Sequence, residues 1–224
     1  MHEKYMALAI EEAAKNDGST VKLEANITQN ITFPEGNFTL DLNGFTLKGS
    51  TPSKMDPPPV ISNSGTLTIV DTSTTKLGVI EIPSPYYQYS VSGISGGTII
   101  FKGGTIRGRD NPGSAIAASS VTMDGGNIIS TFNRYTTSKQ CGISASSVTM
   151  KSGSITLEGT YIRSGGNTIY GINANNVTME GGSISIKSPT DIIIDGEGVL
   201  DQYKAIAKGI HVSVSGSEVL RALL

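Results

Sequence analysis

Val148-Thr149-Met150-Lys151-Ser152-Gly153-Ser154-Ile155 is the stretch whose reading decides the fold. It recurs, lightly edited, along the second half of the chain. Val121-Thr122-Met123-Asp124-Gly125-Gly126-Asn127-Ile128 precedes it, and Val177-Thr178-Met179-Glu180-Gly181-Gly182-Ser183-Ile184 follows it. Ile99-Ile100-Phe101-Lys102-Gly103-Gly104-Thr105-Ile106 is an earlier copy. Ahead of each copy stands a small residue with an isoleucine: Gly93-Ile94, Ala115-Ile116, Gly142-Ile143 and Gly171-Ile172, with a fifth pair at Gly209-Ile210. The pairs recur every 20 to 40 residues or so, the roughly constant period of a solenoid whose units bury their apolar faces only by stacking.

Each unit holds three short segments in alternation. They centre on the isoleucine of the pair, on the Val-Thr-Met positions and on Ile106, Ile128, Ile155 or Ile184. A propeller blade has four strands in a period of about 40 or more. Three short strands per coil instead predict an all-β, right-handed parallel β-helix solenoid. Ser119-Ser120, Ser146-Ser147 and Asn175-Asn176 stand in place of Gly96-Gly97. That pair is expected to form a fixed corner in left-handed or bridge backbone. Lys102, Asp124, Lys151 and Glu180 share one repeat position and alternate in sign. At a strand spacing of about 4.8 Å they predict a solvated salt-bridge ladder, each link contributing about 0.2–1 kcal/mol.

The first half is less regular. Residues 3–16 predict an N-terminal capping α-helix, because Met6, Ala9, Ile10 and Ala13 fall on one stripe with Tyr5 and Leu8 beside it, and Asn16-Asp17-Gly18 ends it. From Thr20 the period becomes two: Val21, Leu23 and Ala25, then Phe38, Leu40 and Leu42, then Phe45 and Leu47, Leu67 and Ile69, and Val79 or Ile80 with Ile82. Pro57-Pro58-Pro59 reads as a connecting loop. One domain spans 1–224, with irregular first coils over 19–90, regular coils over 91–187, and a long insertion with a C-terminal coil over 188–224.

Composition narrows the class. A charged fraction of 16% with a net charge of -2 lacks the basic excess of a nucleic-acid surface. No apolar run is long enough to span a bilayer. Met1-His2-Glu3-Lys4 leads into a polar, acidic stretch that does not read as a signal peptide, so either the protein is not secreted or the chain is a processed piece. Cys141 has no second cysteine to pair with. No cofactor motif is present.

The helix, Asp17-Gly18-Ser19-Thr20-Val21-Lys22-Leu23, and Phe38-Thr39-Leu40-Asp41-Leu42-Asn43-Gly44-Phe45-Thr46-Leu47 resemble the start of bacterial surface and secreted β-helix repeat proteins. Gly65-Thr66-Leu67-Thr68-Ile69 and the Gly-Gly-x-Ile repeats are similar to the same pectin-lyase-like group. The resemblance implies a β-helix and an extracellular or cell-surface setting. Its functions span enzymes, adhesins and phage fibres.

Variable connections follow the third segment of each coil, and insertions at one repeat position project from one edge. Seven of the eight tyrosines fall there: Tyr86, Tyr87, Tyr89, Tyr135, Tyr161, Tyr170 and Tyr203. Arg107, Arg109, Arg134 and Arg163 fall there too. Tyr and Arg are enriched at binding hot spots, and Arg can grip a carboxylate in two parallel hydrogen bonds. These residues are the ligand-binding candidates, for a polysaccharide or surface glycan. The competing account is that Gly-, Ser- and Ile-rich strands leave only loops to house large side chains. Asp191, Asp195, Glu197 and Asp201 form an acidic turn that could hold calcium, could act on a glycosidic bond, or could be purely structural. The turn resembles the Ile-Asp-Gly-x-Gly-x-Ile-Asp segment of polygalacturonase-like enzymes, where it is largely structural. The Asn-Thr-Asp, Asp-Asp, Gly-His-Gly and Arg-x-Lys signatures of those enzymes do not occur here, so no catalytic residue carries over. The expectation is a non-catalytic adhesion or polysaccharide-binding module, or a structural module of a larger surface protein. A polysaccharide lyase or glycoside hydrolase, and a phage tail-fibre piece, are the alternatives.

Overall fold

In a computed structural model, the described residues are 2–50, 58–84, 91–109, 113–132, 140–159, 169–187 and 207–212. The chain opens with α1 (His2–Ala13), which ends earlier than the sequence suggested because Ala14 and Lys15 form a turn, with Lys15 and Asn16 N–H donating to the Glu12 and Ala13 carbonyls three residues back. Short strands follow: β1 (Thr20–Lys22), β2 (Ile27–Thr28), β3 (Ile31–Phe33), β4 (Asn37–Asp41) and β5 (Thr46–Lys48). Then come β6 (Ile61–Val70), β7 (Val79–Ile82), β8 (Ile94–Phe101), β9 (Thr105–Arg109), β10 (Ser114–Phe132), β11 (Gln140–Gly159), β12 (Ile169–Met179), β13 (Ser183–Lys187) and β14 (Ala207–Val212). They form one parallel sheet that curls on itself, an all-β array compatible with a solenoid.

The pairings fall into three ladders. In the first, Ile31, Ile61, Ile94, Ile116, Ile143, Ile172 and Ile210 stand opposite one another in turn. In the second, Val21, Leu40, Ile69, Phe101, Met123, Met150 and Met179 do so. In the third, Ile27, Leu47, Ile80, Ile106, Ile128, Ile155 and Ile184 do so. Alternation sends one side of the strands from β1 to β11 inward, and the inward rows of all three ladders share a single core, while Met179 on β12 is 40% exposed. Burying each large aliphatic side chain contributes about 1.5–3 kcal/mol. The helix lies on the first strand of each ladder, β1, β2 and β3. It buries Met6, Ile10 and Ala13 there, while Ala9 and Leu8 face solvent. A strand stack has an open apolar end, and this stripe covers it.

Two expectations about the corners are corrected. Thr98 pairs with Ser120, and Gly96 with Ala118, so Gly97-Thr98 is the counterpart of Ser119-Ser120. The serine corners use no left-handed residue: among the described residues the only non-glycine positions with positive φ are Asn43 and Lys76. Ser147 instead donates through Oγ to Ser120 Oγ at 3.1 Å, tying one tier to the next. Gly96, beside the same corner in β8, does hold positive φ, at 134°, and left-handed glycine recurs at the other corner, inside the repeated motif. Gly104, Gly126, Gly153 and Gly182 have φ of 86°, 69°, 93° and 89°. An added Cβ would meet another atom at 2.5–2.6 Å, from the preceding tier at Gly126, Gly153 and Gly182 and from the Leu42 side chain at Gly104, whose preceding-tier neighbour is the Gly78 carbonyl oxygen at 3.1 Å. A side chain is excluded twice over, which explains why glycine recurs two residues before every closing isoleucine from Ile106 onward.

The salt-bridge ladder is corrected as well. Lys102, Asp124, Lys151 and Glu180 do follow the paired residues Phe101, Met123, Met150 and Met179, and all four are exposed. No ion pair within 4.0 Å joins them. The register slips at this corner, so that Asp124 stands opposite Ser152 and not Lys151.

Candidate functional site

The outward side of the third ladder carries most of the charge on the described strands. Thr46-Leu47-Lys48 and Val79-Ile80-Glu81-Ile82 bury Leu47, Ile80 and Ile82, which turns Lys48 and Glu81 outward. In β9 the burial of Ile106 and Gly108 leaves Arg107 and Arg109 exposed on the same side. Lys48, Glu81 and Arg107 are register partners across β5, β7 and β9.

These residues, with Ile82, Pro83 and Ser84, line an open cleft of about 410 Å³. Pro83 is buried and closes one side by approaching Gly49, where even a Cβ would lie 2.8 Å from its Cδ. Lys48 Nζ is 2.8 Å from Glu81 Oε1. Arg107 and Arg109 have no ion-pair partner among the described residues. The cleft therefore presents two uncompensated guanidinium groups beside a neutralised Lys–Glu pair. Ile129, opposite Arg107 on the next tier, is 38% exposed and adds an apolar ledge.

Of the residues singled out from sequence, the structure brings Arg107 and Arg109 together in this cleft. Tyr170 is a correction. It belongs to β12, opposite Cys141 of β11, and is only 7% exposed, so it is a packed strand residue and not part of a binding edge. Tyr86, Tyr87, Tyr89, Arg134, Tyr135, Tyr161, Arg163 and Tyr203 lie outside the described residues, as do Asp191, Asp195, Glu197 and Asp201. Lys48 and Glu81 were missed. The signal for them is the Leu47, Ile80 and Ile106 alignment, which the irregular spacing of the first tiers obscures.

A second polar cluster joins the second ladder to the third. The Asp41 carboxylate accepts hydrogen bonds from Asn43 N–H at 2.9 Å, Thr72 N–H at 3.0 Å and Thr72 Oγ1 at 2.6 Å, with Lys22 Nζ 3.6 Å away. Asp71 accepts from Gly44 N–H at 2.9 Å, Ser73 N–H at 3.1 Å, Ser73 Oγ at 2.7 Å and Gly78 N–H at 2.7 Å. Burial works to raise both carboxyls. The donors, led by the Thr72 hydroxyl for Asp41 and the Ser73 hydroxyl for Asp71, outweigh it and hold both below the ordinary carboxylate range. With their lone pairs taken by backbone and hydroxyl donors, these aspartates brace the turns 42–45 and 71–78. No group of three potential metal ligands occurs among the described residues, and no described helix is long and apolar enough to cross a membrane.

Comparison of the chain with protein-family models, with curated proteins and with solved structures finds no match.

Proposed function

We propose that the chain is a right-handed parallel β-helix with three short strands per coil, exposed at a cell surface or outside the cell, that binds an acidic polysaccharide without cleaving it. Three parallel ladders around one core support the fold reading. The observation that carries the functional reading is the cleft beside β9, where Arg107 and Arg109 face solvent with no ion-pair partner among the described residues. Arginine binds carboxylate and sulfate through parallel hydrogen bonds, and an open cleft suits a polymer. Binding is favoured over hydrolysis because hydrolysis of a glycosidic bond uses two carboxyl groups about 5–10 Å apart. Glu81 is the single carboxylate among the described lining residues, and Lys48 holds it.

A glycan array run beside a reducing-sugar release assay on the same polysaccharides tests this reading. The expected result is retention of acidic polysaccharides with no new reducing ends. Release of reducing ends would overturn the non-catalytic part, and an array without binding would overturn the polysaccharide-binding reading.

A further inference from the structure

The direction in which a polymer lies over this cleft can be read from its charges; this step rests on the polysaccharide reading above. The outward side of the third ladder is a two-dimensional lattice. Neighbouring strands are about 4.8 Å apart along the stacking direction, and positions i and i+2 of one strand are about 6.6–6.8 Å apart. Along the stacking direction Lys48, Glu81 and Arg107 read plus, minus, plus. The row then continues through Ile129, Thr156 and Ser185, which carry no charge. Along β9 the pattern differs: Arg107 and Arg109 share one face with only the buried Gly108 between them.

A polyanion laid along the stacking direction would set an acid group over Glu81 and meet no charge in that row beyond Arg107, and in the adjacent row it would pass from Arg109 over Thr131 to the carboxylate of Glu158 before Lys187. Laid along β9, it meets cations alone. Lys48 is already engaged by Glu81 at 2.8 Å, whereas neither arginine has a described acidic partner. We propose that the glycan runs along β9 within one tier, seats two successive acid groups on Arg107 and Arg109, and is kept from the stacking direction by the negative charge of Glu81. The recognised chemistry is a polymer with closely spaced carboxylate or sulfate groups.

The test is titration of the full chain and four variants with de-esterified polygalacturonate, dextran sulfate and fully methyl-esterified polygalacturonate. The variants are Arg107→Gln, Arg109→Gln, Glu81→Gln, and Lys48→Gln made in the Glu81→Gln background so that no acid is left unpaired. Each arginine change should weaken acidic-polymer binding about tenfold, as loss of a charge-assisted hydrogen-bonded contact does. Glu81→Gln should strengthen it about fourfold, the size of one like-charge contact near 5 Å in water. Adding Lys48→Gln to that variant should change affinity by less than about twofold, since exposed charges off the contact path contribute little. Loss at Lys48 equal to that at Arg107, with Arg109→Gln binding like the parent, would place the polymer along the stacking direction and overturn the proposal. Equal binding of the methyl-esterified polymer would overturn it together with the acidic part of the reading above, leaving only polysaccharide binding in general. Binding to none of the three polymers would remove both. Preference between polygalacturonate and dextran sulfate tells which acid group the pair takes.

Discussion

Gly153→Ala probes the repeated motif at its tightest point. Gly153 holds φ of 93°, and a Cβ there would sit 2.6 Å from the carbonyl oxygens of Gly125 and Gly126 and 2.7 Å from Met123 Cε. Left-handed backbone costs an L-residue about 1–2 kcal/mol. Backbone oxygens cannot swing aside as a side chain does, so the tier must shift, at about 1–3 kcal/mol for overpacking. The stiffer unfolded chain of the alanine variant works the other way and offsets about 0.4–1 kcal/mol. The expected destabilisation is about 1–4 kcal/mol, a large share of the roughly 5–15 kcal/mol that holds a domain folded. Gly18→Ala separates the two contributions, because Gly18 has φ of 82° but nothing within 4 Å of its added Cβ. It should cost only about 1–2 kcal/mol. Urea unfolding of both variants gives the comparison, read from midpoints at constant slope. If Gly153→Ala costs no more than Gly18→Ala, close contact between tiers is not what selects glycine. If neither costs anything, the left-handed corner is wrong.

Asp71→Ala should lower stability by about 3 kcal/mol, since it leaves the Gly44 and Gly78 N–H donors without their charged acceptor; chemical denaturation measures it. Asp41 and Asp71 are both held below the ordinary carboxylate value, so their contribution is full above the unfolded pKa of about 3.9 and is lost as pH falls through the lower folded values. Unfolding free energy should therefore drop on acidification below about pH 4, and Asp41→Asn with Asp71→Asn should flatten that drop. Tyr170→Ala should cost about 3 kcal/mol in unfolding experiments because a buried ring is removed. It should leave glycan affinity unchanged in the folded protein, whereas loss of binding at full stability would return Tyr170 to the binding edge.

The ladders were legible because every tier repeats the same apolar positions. Ile94, Ile116, Ile143 and Ile172 are found by spacing alone, and the pairing places them opposite one another. The corners were not, because several small residues cluster there and pattern cannot say which one carries the unusual backbone. Gly153 and its equivalents were visible as a repeat, but the reason for them is a φ value and a neighbouring carbonyl, neither of which is written in one strand. The site was half legible. Arg107 and Arg109 stood out by type and position, whereas Lys48 and Glu81 belong to tiers whose spacing is stretched by the turns around Asp41 and Asp71. Tyr170 was misplaced because the boundary between connection and strand falls one residue before it, at Ile169.

The constant offset between β10 and β11, from Ile116 opposite Ile143 to Phe132 opposite Gly159 apart from the slip at the motif corner, has a consequence for how such a molecule can change its size. A tier copied whole at this point would find its own pairing partners on both sides. It would carry its own corner glycine and push everything beyond it outward by about 4.8 Å. The arginine pair on β9 lies on the helix side of that point and would not move. The distance between a fixed grip and the last described strand, β14, is thus a quantity that can be lengthened or shortened by counting tiers, with no redesign of the grip.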